Sequence, residues 1–315
     1  MNIILLGYNG LLGSSILDLL SQRFKINYDY KIICVGRSLK NKPLINKNIR
    51  YVKWDFINFS KSKLFFFSKK NIIINCVGKN HSKLKNLRDI NLIFIQKLID
   101  YIKKNRISAH LIHLSSVSVY NVGQINFGGV KNITENSTTK SNDLYSKSKL
   151  EADIFIQNAK NNNNNFSFTI LRVANVFSYF KNSNAFSLIS FLLKKGIWFK
   201  CSKNSIYHFI HTKDVAIAVV LSILKLKNSR NKIYIVSDDI NQMELHEIYA
   251  KNYNKKLLKI SISTRFFNLI AKYFPLPKKI INFFFTISSE INYDNSKIKK
   301  ELNFKTQYSL RDKII

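Results

Sequence analysis

The strongest constraint on the fold is an alternation, through the first half of the chain, between apolar runs of strand length and amphipathic segments of helix length. The apolar runs read NIILLG, KIICVG, IRYVKW, NIIINCVG, HLIHLSSVSVY and FSFTILRVANVF. Between them, LLGSSILDLLSQRF and NLIFIQKLIDYIKKN have the apolar spacing of helices. Strands that are apolar throughout are typical of a parallel sheet covered by helices on both faces. The pattern therefore predicts a doubly wound α/β fold.

The alternation becomes less regular after about Ser178. We therefore predict one domain over residues 1–175 and a smaller C-terminal lobe over residues 176–315. Within that lobe the run KIYIVS has the composition of one more strand, so a segment near residues 205–237 is expected to return to the first domain. A chain of 315 residues is long enough to bury a core in each.

The chain is strongly basic, with 51 Lys and Arg against 18 Asp and Glu and a formal net charge of +33. Such a surface attracts nucleic acid, anionic membranes or phosphate-bearing substrates. Lys, Asn and Ile recur throughout, however, as in NKPLINKNIR, which is typical of an A/T-rich coding bias. Since no basic stretch is confined to one tail, we predict no dedicated nucleic-acid site. Binding to RNA or to a membrane surface stays as an alternative.

The cysteines and the N-terminus favour a reduced, cytoplasmic location. Cys34, Cys76 and Cys201 lie far apart, without the spacing of zinc ligands, so neither a disulfide framework nor a metal site is expected. The first residues form a strand-like run that contains glycines and lacks a basic leader, so no signal peptide is expected. No apolar run reaches the length of a membrane span.

A glycine-rich turn follows the first apolar run. In GYNGLLG, Gly7, Gly10 and Gly13 surround Leu11 and Leu12 at the start of a predicted helix. Glycines let a ligand approach the backbone closely, and the N-terminus of a helix offers unpaired N–H groups to an anion. The segment therefore predicts a site for the pyrophosphate of a dinucleotide coenzyme, although a simple turn would use the same residues.

Two positions at the ends of the next strands bear on the choice of coenzyme. Arg37 and Ser38 stand where NAD-binding folds often carry an acidic residue for the ribose, and an arginine there suits the 2′-phosphate of NADP. We therefore expect NAD(P), with NADP favoured over NAD, unless Arg37 is simply solvated. Asp55, after the third strand, is expected either to face the adenine or to cap its own turn.

Three side chains form a candidate reaction site. In YSKSK, Tyr145 and Lys149 are four residues apart on a predicted helix and so share one face. A nearby ammonium favours the phenolate, which lowers the tyrosine pKa and suits proton transfer. Ser116 follows an apolar strand, at the edge where parallel sheets bind ligands, with Ser115 and Ser118 as less favoured alternatives.

Together, these motifs resemble the extended short-chain dehydrogenase/reductase superfamily, and in particular its NAD-dependent epimerase/dehydratase branch that acts on nucleotide-sugars. The likeness continues through LRVANVF, FIHTKDVAIAVV and NYDNSKIKKELNFKTQYSLRDKI, so it covers nearly the whole chain. It implies a Rossmann-like first domain and a substrate-binding C-terminal lobe.

The resemblance also implies a role for each matching residue. Tyr145 would be the general acid/base, Lys149 would lower its pKa and contact the nicotinamide ribose, and Ser116 would hold the substrate oxygen. Asn175 would contact the nucleotide-sugar. Residues Cys76, Val77 and Gly78 would line the coenzyme. Asn91 stands where relatives often carry asparagine, or else acts as an N-cap.

The reaction implied is hydride exchange between a sugar carbon and the nicotinamide, which suits an epimerase or a 4-ketoreductase in polysaccharide assembly. Relatives that are 4,6-dehydratases carry an acidic pair where this chain reads SSVSVY, which argues against dehydration. Tyr207 stands where many relatives place an arginine for the diphosphate, and His208 and His211 are expected to be structural. A homodimer is expected by resemblance, and a non-catalytic coenzyme-binding assembly protein is the alternative.

Overall fold

A computed structural model describes the fold over most of the chain. The described residues are 1–23, 30–39, 48–57, 67–79, 87–120, 131–141, 143–161, 164–178, 184–200, 204–254, 256–262 and 287–311, with single positions 273, 277, 280, 283 and 284. Cys201 lies outside them. The strands are β1 Asn2–Leu6, β2 Lys31–Gly36, β3 Ile49–Lys53, β4 Asn71–Asn75, β5 Ala109–Ser116, β6 Lys131–Ile133, β7 Phe166–Val173, β8 Asn175–Phe177, β9 Ile197–Lys200, β10 Ile206–His211, β11 Lys232–Val236, β12 Asp238–Asn241, β13 Leu258–Ser261 and β14 Ile291–Tyr293.

The helices alternate with these strands. They are α1 Leu11–Arg23, α2 Phe94–Lys104, α3 Leu144–Asn161, α4 Asn184–Lys194, α5 Thr212–Leu224, α6 Leu226–Ser229, α7 Gln242–Asn252 and α8 Ser296–Leu302. A π-helical turn, Asp89–Ile93, leads into α2, and a 3-10 turn, Val117–Tyr120, follows β5.

The main sheet has seven parallel strands in the order β11-β7-β5-β4-β1-β2-β3. The chain runs from β1 outward to β3 and then crosses to β4 on the other side of β1. The carboxyl ends of β1 and β4 therefore form the topological switch point, where open α/β sheets bind their ligands. This arrangement confirms the predicted doubly wound, Rossmann-like fold.

Both faces of this sheet are covered by helices, as its apolar strands predicted. Ile3 and Leu5 point to one face, in a core shared with α1 and α5, while Ile4 and Leu6 point to the other, in a core shared with α2 and α3. All four side chains are at most 1% exposed. Burying an aliphatic side chain of this size stabilises the fold by about 1.5–3 kcal/mol, so the strands are held by packing from both sides.

The C-terminal half contributes to two units. Strand β11 pairs with β7 and extends the main sheet, whereas β10 pairs with β8 and β12 in a separate three-stranded sheet. A third apolar core, which includes Phe177, Tyr207 and Phe209, lies beneath that smaller sheet. The division at residue 175 stays a prediction, although β8 starts there and leaves the main sheet.

Within the part of the chain that the structure describes, no helix has both the length and the apolar character needed to cross a membrane.

Candidate active site

The glycine turn lies at the carboxyl end of β1, at the switch point of the sheet. Gly7 has a φ of +82°, which favours glycine, and its N–H donates to the Val35 carbonyl at 2.8 Å. A Cβ at Gly13 would lie 2.2 Å from the Gly7 carbonyl oxygen, so only glycine fits where α1 crosses the turn. A Cβ at Gly10 would lie 3.3 Å from the same oxygen. The turn therefore brings strand and helix into close contact.

Helix α1 begins at Leu11, directly over this turn. Its first bond within the chain runs from the Ser14 N–H to the Gly10 carbonyl at 2.9 Å. The N–H groups of Leu11, Leu12 and Gly13 precede it and lie at the helix N-terminus, where N–H groups have no partner within the helix. A helix N-terminus over a glycine turn suits a phosphate.

The loop after β2 is joined to the glycine turn by two side chains that the sequence reasoning missed. The Tyr8 hydroxyl and the Asn9 amide both donate to the Ser38 carbonyl, at 3.2 and 2.8 Å. A Cβ at Gly36 would lie 2.8 Å from a ring carbon of Tyr8, so a larger residue there would displace the ring. Arg37 is exposed on this loop.

Asp55 caps its own turn, because its Oδ1 accepts from the Ile57 N–H at 3.0 Å. Its side chain is exposed beyond the end of β3. This is the geometry of the turn-capping alternative.

The residues after β4 lie beside Lys149. The Cys76 N–H donates to the Leu6 carbonyl at 3.0 Å, and the Val77 N–H donates to Asn75 Oδ1 at 3.1 Å. A Cβ at Gly78 would lie 3.2 Å from Lys149 Nζ, so glycine leaves room for the lysine. The β4 loop and helix α3 therefore meet at the carboxyl edge of the sheet. Cys34 and Cys76 are both free thiols.

Asn91 fixes the same loop from the other side. Its amide bonds both backbone groups of Lys79, at 2.9 and 3.0 Å, and donates to Ser148 Oγ at 3.0 Å. Asn91 lies within the π-helical turn, whose N-cap is Arg88, so its interpretation as an N-cap is wrong. The position instead links the β4 loop to α3, a long-range contact that a local sequence pattern does not encode.

Ser116 and Tyr145 meet across the end of β5. The Ser116 side chain lies close enough to Tyr145 to affect its pKa, and Ser116 Oγ accepts from the Ser118 N–H at 3.2 Å. Burial raises the pKa of Tyr145, and Ser116 opposes this shift. Asp143 Oδ1 accepts from the N–H of Tyr145 at 2.8 Å, which starts α3. Ser115 is buried behind this pair.

Lys149 lies one helical turn after Tyr145 and is 5% exposed. Its Nζ donates to the Leu114 carbonyl at 2.9 Å, and burial lowers its pKa to about 8 against the opposing effects of Asp153 and Cys76. The sequence predicted that Lys149 lowers the pKa of Tyr145, but the pKa of Tyr145 is raised, because burial is the largest effect on it. The Lys149 ammonium donates instead to a carbonyl near the end of β5.

The remaining candidates lie on the smaller sheet. Asn175 is exposed at the first position of β8, directly after the end of β7, and pairs with Phe209. His211 caps α5, because its Nδ1 accepts from the Lys213 N–H at 3.2 Å, and its ring stacks on Tyr308. Burial lowers the pKa of His211 to about 4, so it is neutral and structural at neutral pH.

No metal site emerges from the geometry: among the described residues, no group of three or more His, Cys, Asp or Glu side chains is placed to hold an ion.

A glycine turn at the switch point of a parallel sheet, with serine, tyrosine and lysine at the same edge, defines a protein of the extended short-chain dehydrogenase/reductase class. Residues 3–237 match the NAD dependent epimerase/dehydratase family. This match covers well over half of the chain, and the protein belongs to that family. The search of curated protein sequences gave no match.

Solved structures show the same fold at low identity. UDP-glucuronic acid 4-epimerase from Bacillus cereus, in complex with NAD, has a TM-score of 0.71 and 16% identity, covering 99% of this chain and 93% of that chain. UDP-glucose 4-epimerase from Thermotoga maritima, with UDP-glucose, has a TM-score of 0.71 and 15% identity, covering 99% and 96%. dTDP-glucose 4,6-dehydratase from Bacillus anthracis, in complex with NAD, has a TM-score of 0.66 and 16% identity, covering 99% and 94%.

Proposed function

We propose that the protein is an NAD(P)-dependent epimerase or 4-ketoreductase that acts on a nucleotide-diphosphate sugar. The observation that carries this proposal is the placement of Ser116 at the end of β5 close to Tyr145, with Lys149 one turn further along α3, at the edge of the sheet that holds the glycine turn. The family and the nicotinamide complexes of its structural neighbours support the same chemistry.

The residues of this chain fit a dinucleotide coenzyme. The missing side chain at Gly13 lets α1 start directly against the glycine turn, so its N-terminus can face the pyrophosphate, and the missing side chain at Gly78 leaves room for Lys149. When bound, the coenzyme supplies the acceptor or donor of a hydride. Gly7, Gly10, Leu11 and Leu12 would hold it through their backbone, together with residues Cys76 and Val77.

The protein's own part of the reaction is the transfer of a proton. Tyr145 Oη would accept the proton of a sugar hydroxyl, or return it, while Ser116 Oγ holds the same sugar oxygen. The Lys149 ammonium would stabilise the negative charge on Tyr145, because an opposite charge in a buried site favours the ionised form. Asn175, the exposed first residue of β8, would contact the nucleotide-sugar.

The choice between NADP and NAD depends on the loop after β2. Arg37 is exposed there and occupies the position at which a carboxylate would bind the ribose hydroxyls of NAD. We therefore propose a preference for NADP. Titration of the protein with NADPH and NADH tests this preference. Arg37→Ala is expected to weaken NADPH binding and to leave NADH unchanged, whereas equal losses for both would contradict the assignment of Arg37 to the 2′-phosphate.

Our proposal for the class of reaction depends on the residues of the turn after β5. The stretch SSVSVY lacks a carboxylate for the elimination of water, which favours epimerisation or ketone reduction over 4,6-dehydration. Mass spectrometry of the molecules released on denaturing the purified protein tests the choice. Retained NAD indicates an epimerase that recycles its hydride, and an empty protein that prefers NADPH indicates a reductase. A protein that binds neither coenzyme supports the RNA-binding or membrane-binding alternative, whereas one that binds a coenzyme but turns over no sugar supports the non-catalytic alternative.

We also propose a cytoplasmic homodimer that serves polysaccharide assembly. Leu144 and Ile154 on α3 are both 48% exposed, which supports a contact between copies along this helix. Light scattering after size exclusion tests the dimer. Ile154→Glu is expected to yield monomers if α3 forms the contact, and an unchanged dimer would place the interface elsewhere.

A further inference from the structure

Helix α3 buries two opposite charges one turn apart. Lys149 is 5% exposed and Asp153, four residues later, is fully buried. Residues at this spacing lie on the same helix face. Burial raises the pKa of Asp153 against the opposing effects of Arg172, Ser115 and Lys149, and Asp153 in turn raises the pKa of Lys149. A buried ammonium that donates only to one backbone carbonyl, that of Leu114, needs such a counter-charge.

Arg172 holds the carboxylate of Asp153 in place. Its Nε donates to Asp153 Oδ2 at 3.1 Å, and both side chains are almost completely buried. The same guanidinium donates to the Tyr120 hydroxyl at 2.9 Å, and so it is fixed at two points. Since β7 carries Arg172 and the turn after β5 carries Tyr120, the carboxylate is anchored to the sheet and not only to its own helix.

The hydrogen bond from Arg172 Nε goes to Oδ2 of Asp153 and not to Oδ1. Ser115 lies close enough to lower the pKa of Asp153, but neither its Oγ nor Asp153 Oδ1 makes a hydrogen bond of good geometry among the described residues. One carboxylate oxygen is therefore committed to Arg172, and the charge of the other stays available to the ammonium one turn away.

The other groups that face Lys149 are neutral at neutral pH. Burial raises the pKa of the Cys76 thiol to about 12, and burial together with the Lys149 charge holds the pKa of His113 well below its usual range. Tyr145 also keeps its proton, because burial raises its pKa. Of these described groups, Asp153 is the one that supplies a negative charge, because its carboxylate is paired with the Arg172 guanidinium.

We propose that Asp153, fixed by Arg172, is a positioning residue that keeps the Lys149 ammonium charged and directed at the end of β5. The inference rests on the proposed function, in which that ammonium serves Tyr145. Without Asp153 the site would contain two buried cations, Lys149 and Arg172, and no counter-charge. Lys149 would then lose its proton at a lower pH, and the neutral amine would no longer stabilise a phenolate.

The test measures the ionisation of Lys149 directly. Competitive acetylation of the intact protein over a range of pH, followed by mass spectrometry of the peptides, reports the apparent pKa of each lysine. Asp153→Asn is expected to lower that of Lys149 by about one unit or more. Glu151→Gln is the matched control, because it removes the same charge from the same helix at a partly exposed side chain that pairs with Arg88. An unchanged Lys149 pKa in Asp153→Asn would overturn the proposal.

Asp153→Asn leaves Arg172 buried without its partner, which would destabilise the fold. A second variant therefore tests the proposal without that unpaired charge. The double variant Asp153→Asn with Arg172→Met removes both charges, a change that proteins often tolerate. This double variant is also expected to lower the Lys149 pKa. An unchanged Lys149 pKa in the folded double variant would likewise overturn the proposal.

The labelling needs neither coenzyme nor sugar, so it separates this inference from the proposed function. If the pKa of Lys149 falls in Asp153→Asn while the wild-type protein turns over no nucleotide-sugar, the role of Asp153 stands and the proposed function fails. If the protein is active, the alkaline limb of the rate against pH is expected to shift to lower pH in Asp153→Asn and to stay in place in Glu151→Gln.

Discussion

Two buried polar clusters, each of which includes residues of one helix, differ in charge. The Lys149 cluster, formed by Lys149, Asp153, Arg172 and Tyr120, contains three ionised groups. The Tyr207 cluster, in the smaller sheet, is neutral. Its members are Tyr207, Gln242 and His246, with Gln242 Nε2 donating to the Tyr207 hydroxyl at 2.8 Å and His246 Nε2 lying 3.4 Å from it.

The difference is the one expected between a site for chemistry and a site for stability. Buried charges are costly and add little stability over apolar residues of the same size, so a charged cluster beside the tyrosine that we propose as acid/base favours a functional role. A neutral cluster costs less and joins strands to helices. Burial lowers the pKa of His246 to about 3, which keeps the Tyr207 cluster uncharged at neutral pH. Tyr207 is also enclosed, so its hydroxyl is not open to a diphosphate.

The most direct test of this comparison removes one tyrosine hydroxyl at each place, that of Tyr145 beside the Lys149 cluster and that of Tyr207 in the Tyr207 cluster. Tyr145→Phe is expected to lower turnover by about 10²–10⁴-fold, because the proposed general acid/base is lost, with coenzyme binding intact. Tyr207→Phe removes the same atom from the neutral cluster and is expected to keep turnover near the wild-type rate. Steady-state rates and coenzyme titrations measure both. Full activity in Tyr145→Phe would end the proposed mechanism.

A second test compares the free energy of unfolding when one partner is removed from each cluster. Arg172→Met leaves the Asp153 carboxylate buried without its counter-ion, and we expect a loss of about 3–5 kcal/mol. Gln242→Met removes hydrogen bonds to the Tyr207 hydroxyl and the Phe199 carbonyl, for which we expect about 1–3 kcal/mol. Urea unfolding gives both values. The Arg172→Met loss should shrink in acid, where Asp153 takes up a proton, and a larger loss in Gln242→Met would reverse the ranking.

The smallest effect is a difference in pH dependence. His246 has a folded pKa of about 3 and an unfolded value near 6.5, so the unfolded chain binds more protons between these values and stability falls as the pH falls. The contribution of His246 between pH 7.5 and pH 5 is about 2 kcal/mol. His246→Gln is expected to remove that part of the acid destabilisation, as measured by urea unfolding at both pH values.

Glu247→Gln, at the exposed neighbouring position, serves as the control for this measurement. It should leave the acid destabilisation as it is in the wild-type protein. If His246→Gln behaves in the same way as the control, the Tyr207 cluster takes up its proton without loss of stability, and the contrast between the clusters is weaker than we describe.

Features encoded in short stretches could be predicted from the sequence. Continuous apolar runs predicted the parallel sheet, and the spacing of Tyr145 and Lys149 predicted a shared helix face. The contacts of Asn91 and Asp153 could not be predicted from local patterns, because their partners lie far along the chain. One signal was available: Arg172 is a charge within the buried run FSFTILRV, and a charge in a buried strand needs a buried partner.

The smaller sheet escaped prediction for a different reason. Its strands β8, β10 and β12 have three to six residues, and such lengths give too few positions for a periodic pattern. Their pairing is decided by the packing of distant aromatic side chains, among them Phe177 and Phe209.

The bonds from Tyr8 and Asn9 to Ser38 bear on how this enzyme family can be re-engineered. The residues of the loop at the end of β2 are the ones that we propose to select the coenzyme. Here that loop is fastened to the glycine turn, and a side chain larger than glycine at position 36 would meet the Tyr8 ring at 2.8 Å. If this loop selects the coenzyme as we propose, a change of coenzyme preference would have to alter both loops together, because Tyr8 and Asn9 hold the loop after β2.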